Sequence, residues 1–178
     1  MLLGDFGQAG QERLSDSSVL IVGCGALGCG VADLLARAGV GTIRIVDRDV
    51  VEETNLQRQV LFCQADAIAS RPKAIAAAER LRSVNPCIDV EPVVANFGAD
   101  NAEDIAAGMS LLVDGLDNFD TRYLLNDLSV KHGLPYIYAG AVGTGGMVMP
   151  ILPRGGGQGR SIEWTDDATT PCLRCVFP

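Results

Sequence analysis

The chain has 178 residues, of which 48% are hydrophobic and 5% aromatic, and its formal net charge is −8. This length can bury the core of one domain, and the 21 glycines with few aromatic residues favour an α/β protein built on aliphatic side chains. The acidic balance argues against a nucleic-acid partner, because nucleic-acid phosphates are bound by basic surfaces.

No targeting or membrane segment is predicted. Gly4, Asp5 and Gly7 interrupt the start of the chain before an apolar run can form. The long uncharged span 136–153 contains several glycines and Pro150, which makes it a poor membrane helix. We therefore expect a cytoplasmic protein with no membrane partner.

A short helix is predicted at 6–16, and a strand–turn–helix–strand unit follows it at 19–47. The apolar run 19–22 is typical of a buried parallel strand. Three glycines come next at the G-x-G-x-x-G spacing, and they are Gly23, Gly25 and Gly28. Helical periodicity starts at Cys29. The apolar face predicted for this helix consists of Val31, Leu34, Leu35 and Ala38.

The second strand of this unit, 42–46, ends at Asp47. Glycine lets the backbone approach a phosphate closely, and the following helix directs its positive N-terminal end toward the same anion. Asp47 lies 19 residues after Gly28, close to the roughly 20 expected of an acid that accepts hydrogen bonds from ribose. The pattern indicates a nucleotide but leaves NAD, FAD, SAM and ATP open. The alternative is a glycine-rich turn without a ligand.

A polar loop, 48–63, follows the second strand. It carries Asp49, Asn55, Arg58 and Gln59 at the carboxyl end of the predicted sheet, where open α/β proteins bind ligands. A solvated surface loop with a short helical turn is the alternative.

A second long helix is predicted at 70–85, with Pro72 in its first turn and Lys73 at its start. A lysine is electrostatically unfavourable at a helix N-terminus, so either a nearby anion or plain solvent exposure must accommodate it. The apolar face predicted for this helix consists of Ala74, Ile75, Ala78 and Leu81.

The next elements are predicted to bring carboxylates to the same edge of the sheet. A strand at 89–94 and a short helix at 102–107 precede a buried strand at 110–114. Asp114, Asp117 and Asp120 lie at the exit of that strand, and hard oxygen ligands there suit Mg²⁺ bound to phosphate. Alternatively, Asp117 or Asn118 caps the next helix.

That helix is predicted at 118–132, and His132 at its C-terminal end is assigned no catalytic role, since a cation is favoured there by the dipole. Strands are predicted at 136–142 and 146–152. A flexible tip at 154–160 and a return strand at 161–165 follow.

The six cysteines are expected to be thiols or metal ligands rather than disulfides. Cys172 and Cys175 form a C-x₂-C pair, half of a tetrahedral zinc site. We expect buried thiols at Cys24, Cys29, Cys63 and Cys87. With no second pair available, either the metal is absent or its other ligands lie beyond Pro178. We expect the second, in a longer protein.

Four segments in order resemble the ThiF/MoeB/HesA family, the bacterial relatives of ubiquitin-activating E1 enzymes. They are VLIVGCGALGCGVADLLARAGVGTIRIVDRDVVEETNLQRQVLF, RPKA, VDGLDNFDTRYLLND and PCLRCVFP, and together they extend over nearly the whole chain. Four ordered motifs are far more specific than the glycine pattern alone. The resemblance implies a Rossmann-like, doubly wound and mainly parallel sheet with helices on both faces, followed by a β-hairpin and the partial zinc motif.

The resemblance also implies an activity. The family binds Mg·ATP and adenylates the C-terminal glycine of a ubiquitin-like sulfur carrier such as ThiS or MoaD, releasing pyrophosphate. Residues 1–178 then form a single E1-like ATP-binding adenylation domain, truncated at both ends, that works as a homodimer.

Residue roles carry over by position. Asp47 is expected to hold the ribose, Asp117 the Mg²⁺, and Cys172 and Cys175 the Zn²⁺. Arg58, Lys73 and Asp117 are the candidate catalytic residues. The candidate nucleotide-binding residues are Gly23, Gly25, Ala26, Gly28, Asp47, Asp49, Thr54, Asn55, Leu56, Gln57, Arg58, Lys73, Asp117 and Asn118. The family often has glycine at the position of Ala26.

The charged residues favour ATP over NAD. A carboxylate that attacks the α-phosphorus brings two anions together, so cations and Mg²⁺ must neutralise the triphosphate. Arg58, Lys73 and the aspartates supply such a set, which a dehydrogenase does not need.

Two departures from the family keep alternatives open. The chain lacks the usual N-terminal R-Y-x-R-Q segment, and it lacks the downstream cysteine and second C-x₂-C. A non-catalytic module that binds ATP or the carrier is therefore the second hypothesis, and an NAD-dependent oxidoreductase is the third. The acidic balance and the C-x₂-C speak against the branch that activates tRNA-linked carboxylates. The carrier and its pathway stay open.

Overall fold

The computed structural model describes residues 7–154 and 169–177. The flexible tip predicted at 154–160 (apart from Arg154) and the return strand predicted at 161–165 lie outside these residues. Within them, no helix has both the length and the apolarity needed to cross a membrane. The long uncharged span instead forms a β-hairpin.

Six strands form one sheet in the order β3-β2-β1-β4-β5-β6. They are β1 (Ser18–Val22), β2 (Thr42–Val46), β3 (Asp89–Val93), β4 (Leu111–Asp114), β5 (Tyr136–Val142) and β6 (Gly145–Ile151). The first five run parallel to their neighbours, whereas β6 pairs antiparallel with β5. The chain order reverses on either side of β1, so the crevice between the ends of β1 and β4 is the expected ligand position in such a sheet.

The helices are α1 (Gly7–Ser15), α2 (Ala26–Ala38), α3 (Gln64–Ile68), α4 (Lys73–Val84), α5 (Ala102–Ala106), α6 (Phe119–His132) and α7 (Leu173–Val176), with a 3₁₀ turn at Glu53–Asn55. Alternate residues of β1 divide between two apolar clusters. Ile21 packs with α2 and α4 residues, and Leu20 packs with α5 and α6 residues. Both sheet faces are covered, which explains the continuous apolar run of β1 and confirms the predicted fold class.

The buried face of α2 differs from the prediction. The helix begins at Ala26 rather than Cys29, and Leu34 is 68% exposed. Its buried residues are Gly28, Cys29, Ala32 and Ala36. Small side chains let the helix lie close to the sheet, so the contact face follows the small residues and not the largest apolar ones. In α4, Ile75 is likewise exposed, and the buried face is formed mainly by alanines.

Two of the expected buried thiols are exposed. Cys24 and Cys29 are buried, but Cys63 and Cys87 lie at the surface. Cys63 caps α3, a five-residue helix that was not predicted, and Cys87 lies in the turn before β3. Both positions follow the end of a core segment, where the backbone has already turned toward solvent.

Candidate functional site

A cavity of about 1040 Å³ opens at the carboxyl ends of β1, β2 and β4. Among the residues predicted from the sequence, its walls contain Gly23, Gly25, Ala26, Asp47, Asp49, Asn55, Arg58, Lys73, Asp117 and Asn118. Gly28, Thr54, Leu56 and Gln57 are outside the lining. The structure therefore brings most of the predicted residues, from five separate segments, around one space.

Close backbone packing builds the glycine turn. A Cβ at Gly28 would lie 2.0 Å from the carbonyl oxygen of Gly23, and one at Gly23 would lie 2.6 Å from the carbonyl oxygen of Gly115. Gly23 also has a φ of +92°, in the region that glycine adopts without penalty. These glycines hold the β1–α2 turn against the exit of β4.

Gly25 differs from those two glycines. A Cβ there would meet only Gly115, at an ordinary 3.6 Å from its carbonyl oxygen, so packing within the described chain does not demand a glycine. Gly25 is also the N-cap of α2, and within the described residues no side chain caps that end. The bare backbone and the helix N-terminus thus leave room for an anion at the cavity wall.

Asp47 holds the glycine turn in place. Its Oδ2 accepts a hydrogen bond from the backbone N–H of Cys24 at 2.7 Å, and its Oδ1 accepts one from the N–H of Asp49 at 2.8 Å. The carboxylate is therefore fixed in orientation at the end of β2, while each oxygen keeps a lone pair for a hydroxyl donor.

Lys73 is buried rather than solvated. Its side chain is 9% exposed, and its Nζ lies 3.3 Å from Oδ2 of Asp49, whose own side chain is 58% exposed. The backbone N–H of Lys73 also donates to the Asp49 carbonyl at 2.9 Å. A buried ammonium at a helix N-terminus is costly unless anions face it. The alternative that Lys73 is simply exposed to solvent is therefore wrong. The cavity beside it suits an anionic ligand.

The 48–63 loop adds further polar groups. Asn55 is buried, and its Oδ1 accepts from the N–H of Glu52 at 3.1 Å, which fixes the 3₁₀ turn. Arg58 is exposed, and its Nη1 donates to the carbonyl of Thr54 at 2.9 Å. Gln59 is 3% exposed and lines the cavity, and its Oε1 has no hydrogen-bond partner among the described residues. The loop has no periodicity, so nothing in the sequence indicated that Gln59 is buried.

The expected cluster of three carboxylates does not form. Asp114 is fully buried and faces the protein interior, and no group of three or more His, Cys, Asp or Glu side chains suited to a metal occurs in the described part of the chain. Asn118 caps α6, since its Oδ1 accepts from the N–H of Thr121 at 2.9 Å. Of the three candidate Mg²⁺ ligands, Asp117 and Asp120 line the cavity. Asp120 belongs to the first turn of α6, whereas Asp117 lies in the loop between β4 and that helix.

Asp114 belongs to a buried network that supports this wall. Its Oδ2 accepts from Nε of Arg122 at 3.0 Å and from the Tyr136 hydroxyl at 2.9 Å, and its Oδ1 accepts from the N–H of Leu116 at 2.8 Å. Arg122 Nη2 donates to the Leu116 carbonyl at 2.6 Å. Burial raises the pKa of Asp114, although these donors oppose the rise. The network fixes the chain immediately before Asp117.

The C-x₂-C pair is held on α6. The two sulfur atoms of Cys172 and Cys175 lie 3.5 Å apart. The N–H of Leu173 donates to Oδ1 of Asn126 at 2.7 Å, and the Arg174 guanidinium makes two hydrogen bonds to Asp127, at 2.9 and 2.7 Å. Burial acts to raise the pKa of Cys172, but hydrogen bonds, first that with the Cys175 thiol, lower it overall. The pair supplies two thiolates of the four ligands that a structural zinc site needs.

The mainly parallel sheet with helices on both faces, and with its cavity at the β1/β4 crevice, defines a Rossmann-like α/β protein. Glycines, a carboxylate and a buried lysine around that crevice are the features of a site for an anionic ligand. The ThiF family model matches residues 1–178, and the chain belongs to the ThiF family. The resemblance stated from the motifs is thereby confirmed.

Curated relatives agree with this assignment. The chain is 40% identical over 176 residues to the sulfur carrier protein ThiS adenylyltransferase of Bacillus subtilis, covering 99% of this chain and 48% of that protein. It is 39% identical over 178 residues to the SAMP-activating enzyme E1 of Haloferax volcanii, covering all of this chain and 60% of that protein. The chain thus spans about half the length of these relatives.

Solved structures show the same fold. A complex of the microcin C7 biosynthetic enzyme MccB with N-formylated MccA matches 94% of this chain and 44% of its own, with a TM-score of 0.79 and 28% identity. The Escherichia coli MccB structure with ATP matches 81% of this chain and 43% of its own, with a TM-score of 0.75 and 31% identity.

Proposed function

We propose that residues 1–178 form the ATP-binding adenylation domain of an E1-like activating protein. Its reaction is the transfer of the adenylyl group of ATP to the C-terminal glycine of a ubiquitin-like sulfur carrier of the ThiS/MoaD kind, with release of pyrophosphate. The observation that carries the proposal is the buried Lys73 ammonium in the wall of the cavity that the bare backbone of Gly25 also lines. The names of the curated relatives support it.

The chemistry asks for charge neutralisation. A carboxylate oxygen of the carrier forms a bond to the α-phosphorus, the bond between that phosphorus and the bridging oxygen breaks, and pyrophosphate leaves with the electron pair. Lys73 and Arg58 neutralise the phosphates as charge moves onto the leaving group. Asp47 accepts from the ribose, and the backbone at Gly25 and Ala26 approaches the phosphates.

Metal ions are part of the proposal. Asp117 is the residue that would hold Mg²⁺, whose role is to screen the phosphate charges when bound. Cys172 and Cys175 would supply two zinc ligands, and the remaining ligands would come from outside the described residues. The resemblance to the family adds a homodimer to this proposal.

Replacing Lys73 by alanine tests the assignment. We expect carrier-dependent ATP–pyrophosphate exchange to fall by about 100-fold or more, because the ammonium acts on charge that develops in a water-poor site. The matched control is Lys131→Ala, which removes an exposed lysine of α6 that pairs with Glu103 of α5. Exchange should persist in that control.

Two outcomes would speak against parts of the proposal. Unchanged ATP–pyrophosphate exchange in the Lys73→Ala variant would contradict a catalytic role for Lys73. Tight carrier binding by the unmodified chain, with no exchange under any condition, would instead indicate a non-catalytic binding module.

A further inference from the structure

Two buried thiols flank the glycine turn, and the proposed reaction uses neither. Cys24 precedes Gly25, and Cys29 lies in the first turns of α2. Their sulfur atoms are 3.7 Å apart, and Cys29 Sγ also lies 3.4 Å from the Cys24 carbonyl oxygen. Both side chains are fully buried, and the segment between them contains the cavity-lining residues Gly25 and Ala26.

The two thiols differ in acidity. Their mutual hydrogen bond leaves the proton on one sulfur, so it raises the pKa of Cys24 and lowers that of Cys29. Burial adds to the rise at Cys24 and opposes the fall at Cys29, while the nearby Lys73 ammonium favours the Cys29 thiolate. Cys29 is thus the first of the two to become a nucleophilic thiolate, and the Cys24 thiol beside it keeps its proton.

We propose that Cys24 and Cys29 form an oxidation site, at which a hydroperoxide converts the thiol pair to a disulfide that distorts the glycine turn. The inference about the thiols stands independently of the nucleotide. Only its consequence for ATP rests on the proposed function.

The reaction balances with hydrogen peroxide as the two-electron oxidant. The Cys29 thiolate attacks one peroxide oxygen, the O–O bond breaks, and hydroxide leaves and takes up the thiol proton as water. The resulting sulfenic acid is attacked by the Cys24 sulfur, the S–O bond breaks, and a second water leaves. Two thiols and one peroxide thus give one disulfide and two waters. Peroxide is small and uncharged, so local opening of the turn that lines the cavity admits it.

The disulfide has a structural cost in the turn. It requires about 2.0 Å between the sulfur atoms, whereas they now lie 3.7 Å apart. Gly23 and Gly28 are packed against backbone and leave little room for adjustment. The movement therefore falls on Cys24 and Gly25, and it disturbs the hydrogen bond from Cys24 N–H to Asp47. We expect ATP affinity to fall by about tenfold or more in the oxidised chain.

The other cysteines must be removed for a clean test. Cys63, Cys87 and Cys175 are exposed, and Cys172 lies 3.5 Å from Cys175. The test protein therefore carries serine at these four positions and keeps only Cys24 and Cys29. It is treated with hydrogen peroxide under native conditions, and free thiols are counted after quenching. The tryptic peptide 14–37 contains both cysteines, so its mass reports the disulfide.

The expected result is loss of both thiols, a peptide 14–37 lighter by two hydrogen atoms, and reversal by dithiothreitol. Adding Cys24→Ser should stop the reaction at a Cys29 sulfenic acid, which dimedone traps. Retention of both thiols at peroxide concentrations that oxidise the Cys172–Cys175 pair of the unmodified chain would overturn the proposal. A disulfide that leaves ATP affinity unchanged would overturn its effect on the turn, and a reduced chain that binds no ATP would contradict the proposed function instead.

Discussion

Gly28→Ala is expected to lower the free energy of unfolding by about 3 kcal/mol and to remove measurable ATP binding. The added Cβ would lie 2.0 Å from the carbonyl oxygen of Gly23. That neighbour is backbone, so α2 must move away from β1 and carry the N-terminal turn at Gly25 with it. Urea unfolding, followed by circular dichroism, measures the loss of stability.

The same helix offers the matched control. Gly30 lies two positions further along α2, and a Cβ there would meet nothing within 4 Å. Because alanine is the better helix former, Gly30→Ala should stabilise the protein by about 0.5–1 kcal/mol and leave ATP binding intact. Equal effects of the two substitutions on stability and on ATP binding would contradict the claim that the close approach at Gly28 requires a glycine.

Arg122→Met is expected to cost about 3–5 kcal/mol, since it leaves the Asp114 carboxylate buried without its cation. Asp114 is fully buried and the Arg122 side chain is 9% exposed, so water cannot replace the lost partner. The substitution also removes the hydrogen bonds from Arg122 to the carbonyls of Leu116 and Ala139. The turn before Asp117 then loses its support. Chemical denaturation of the variant and of the unmodified chain measures the difference in their free energies of unfolding.

This loss should depend on pH. The pKa of Asp114 is already raised in the folded protein, chiefly by burial, and removing Arg122 raises it further. A carboxyl group with a raised pKa costs stability as pH rises through that value, because the folded state holds its proton more tightly than the unfolded state. The deficit of the variant should therefore be larger at neutral pH than at about pH 5.

An exposed pair provides the comparison for Arg122. Arg37 and Asp33 lie one helical turn apart on α2, and the Arg37 side chain is 56% exposed. Solvent screens such a pair, so Arg37→Met should leave the stability unchanged within error at both pH values. A deficit of Arg122→Met that is small, or equal at the two pH values, would contradict a stabilising role for the buried ion pair.

Local patterns were enough to predict the framework of the site. The β1–α2–β2 unit has its glycines, apolar runs and terminal Asp47 within one short stretch. Each of these features depends only on residues that are close together in the sequence. The position of Lys73 at a helix start is unfavourable and therefore indicates a nearby anion, and the structure shows Lys73 buried in the cavity wall. Such signals need no knowledge of tertiary structure.

Tertiary contacts explain what the sequence could not predict. Asp114, Arg122 and Tyr136 come from β4, α6 and β5, and no spacing rule links them. Three nearby aspartates therefore looked like a metal cluster, although one of them faces the interior. The face of α2 was mispredicted for a related reason, since close packing on the sheet selects small side chains over Leu34.

The most direct test of the central claim is calorimetric titration of ATP into the chain, with and without Mg²⁺. We expect saturable binding that Mg²⁺ strengthens, and we expect Asp117→Ala to weaken Mg²⁺-dependent binding by about tenfold or more. Asp104→Ala, which removes an exposed carboxylate in the first turn of α5, serves as the control and should bind like the unmodified chain. If the unmodified chain binds no ATP, or binds it equally well with Asp117→Ala, the cavity is not the Mg·ATP site described above.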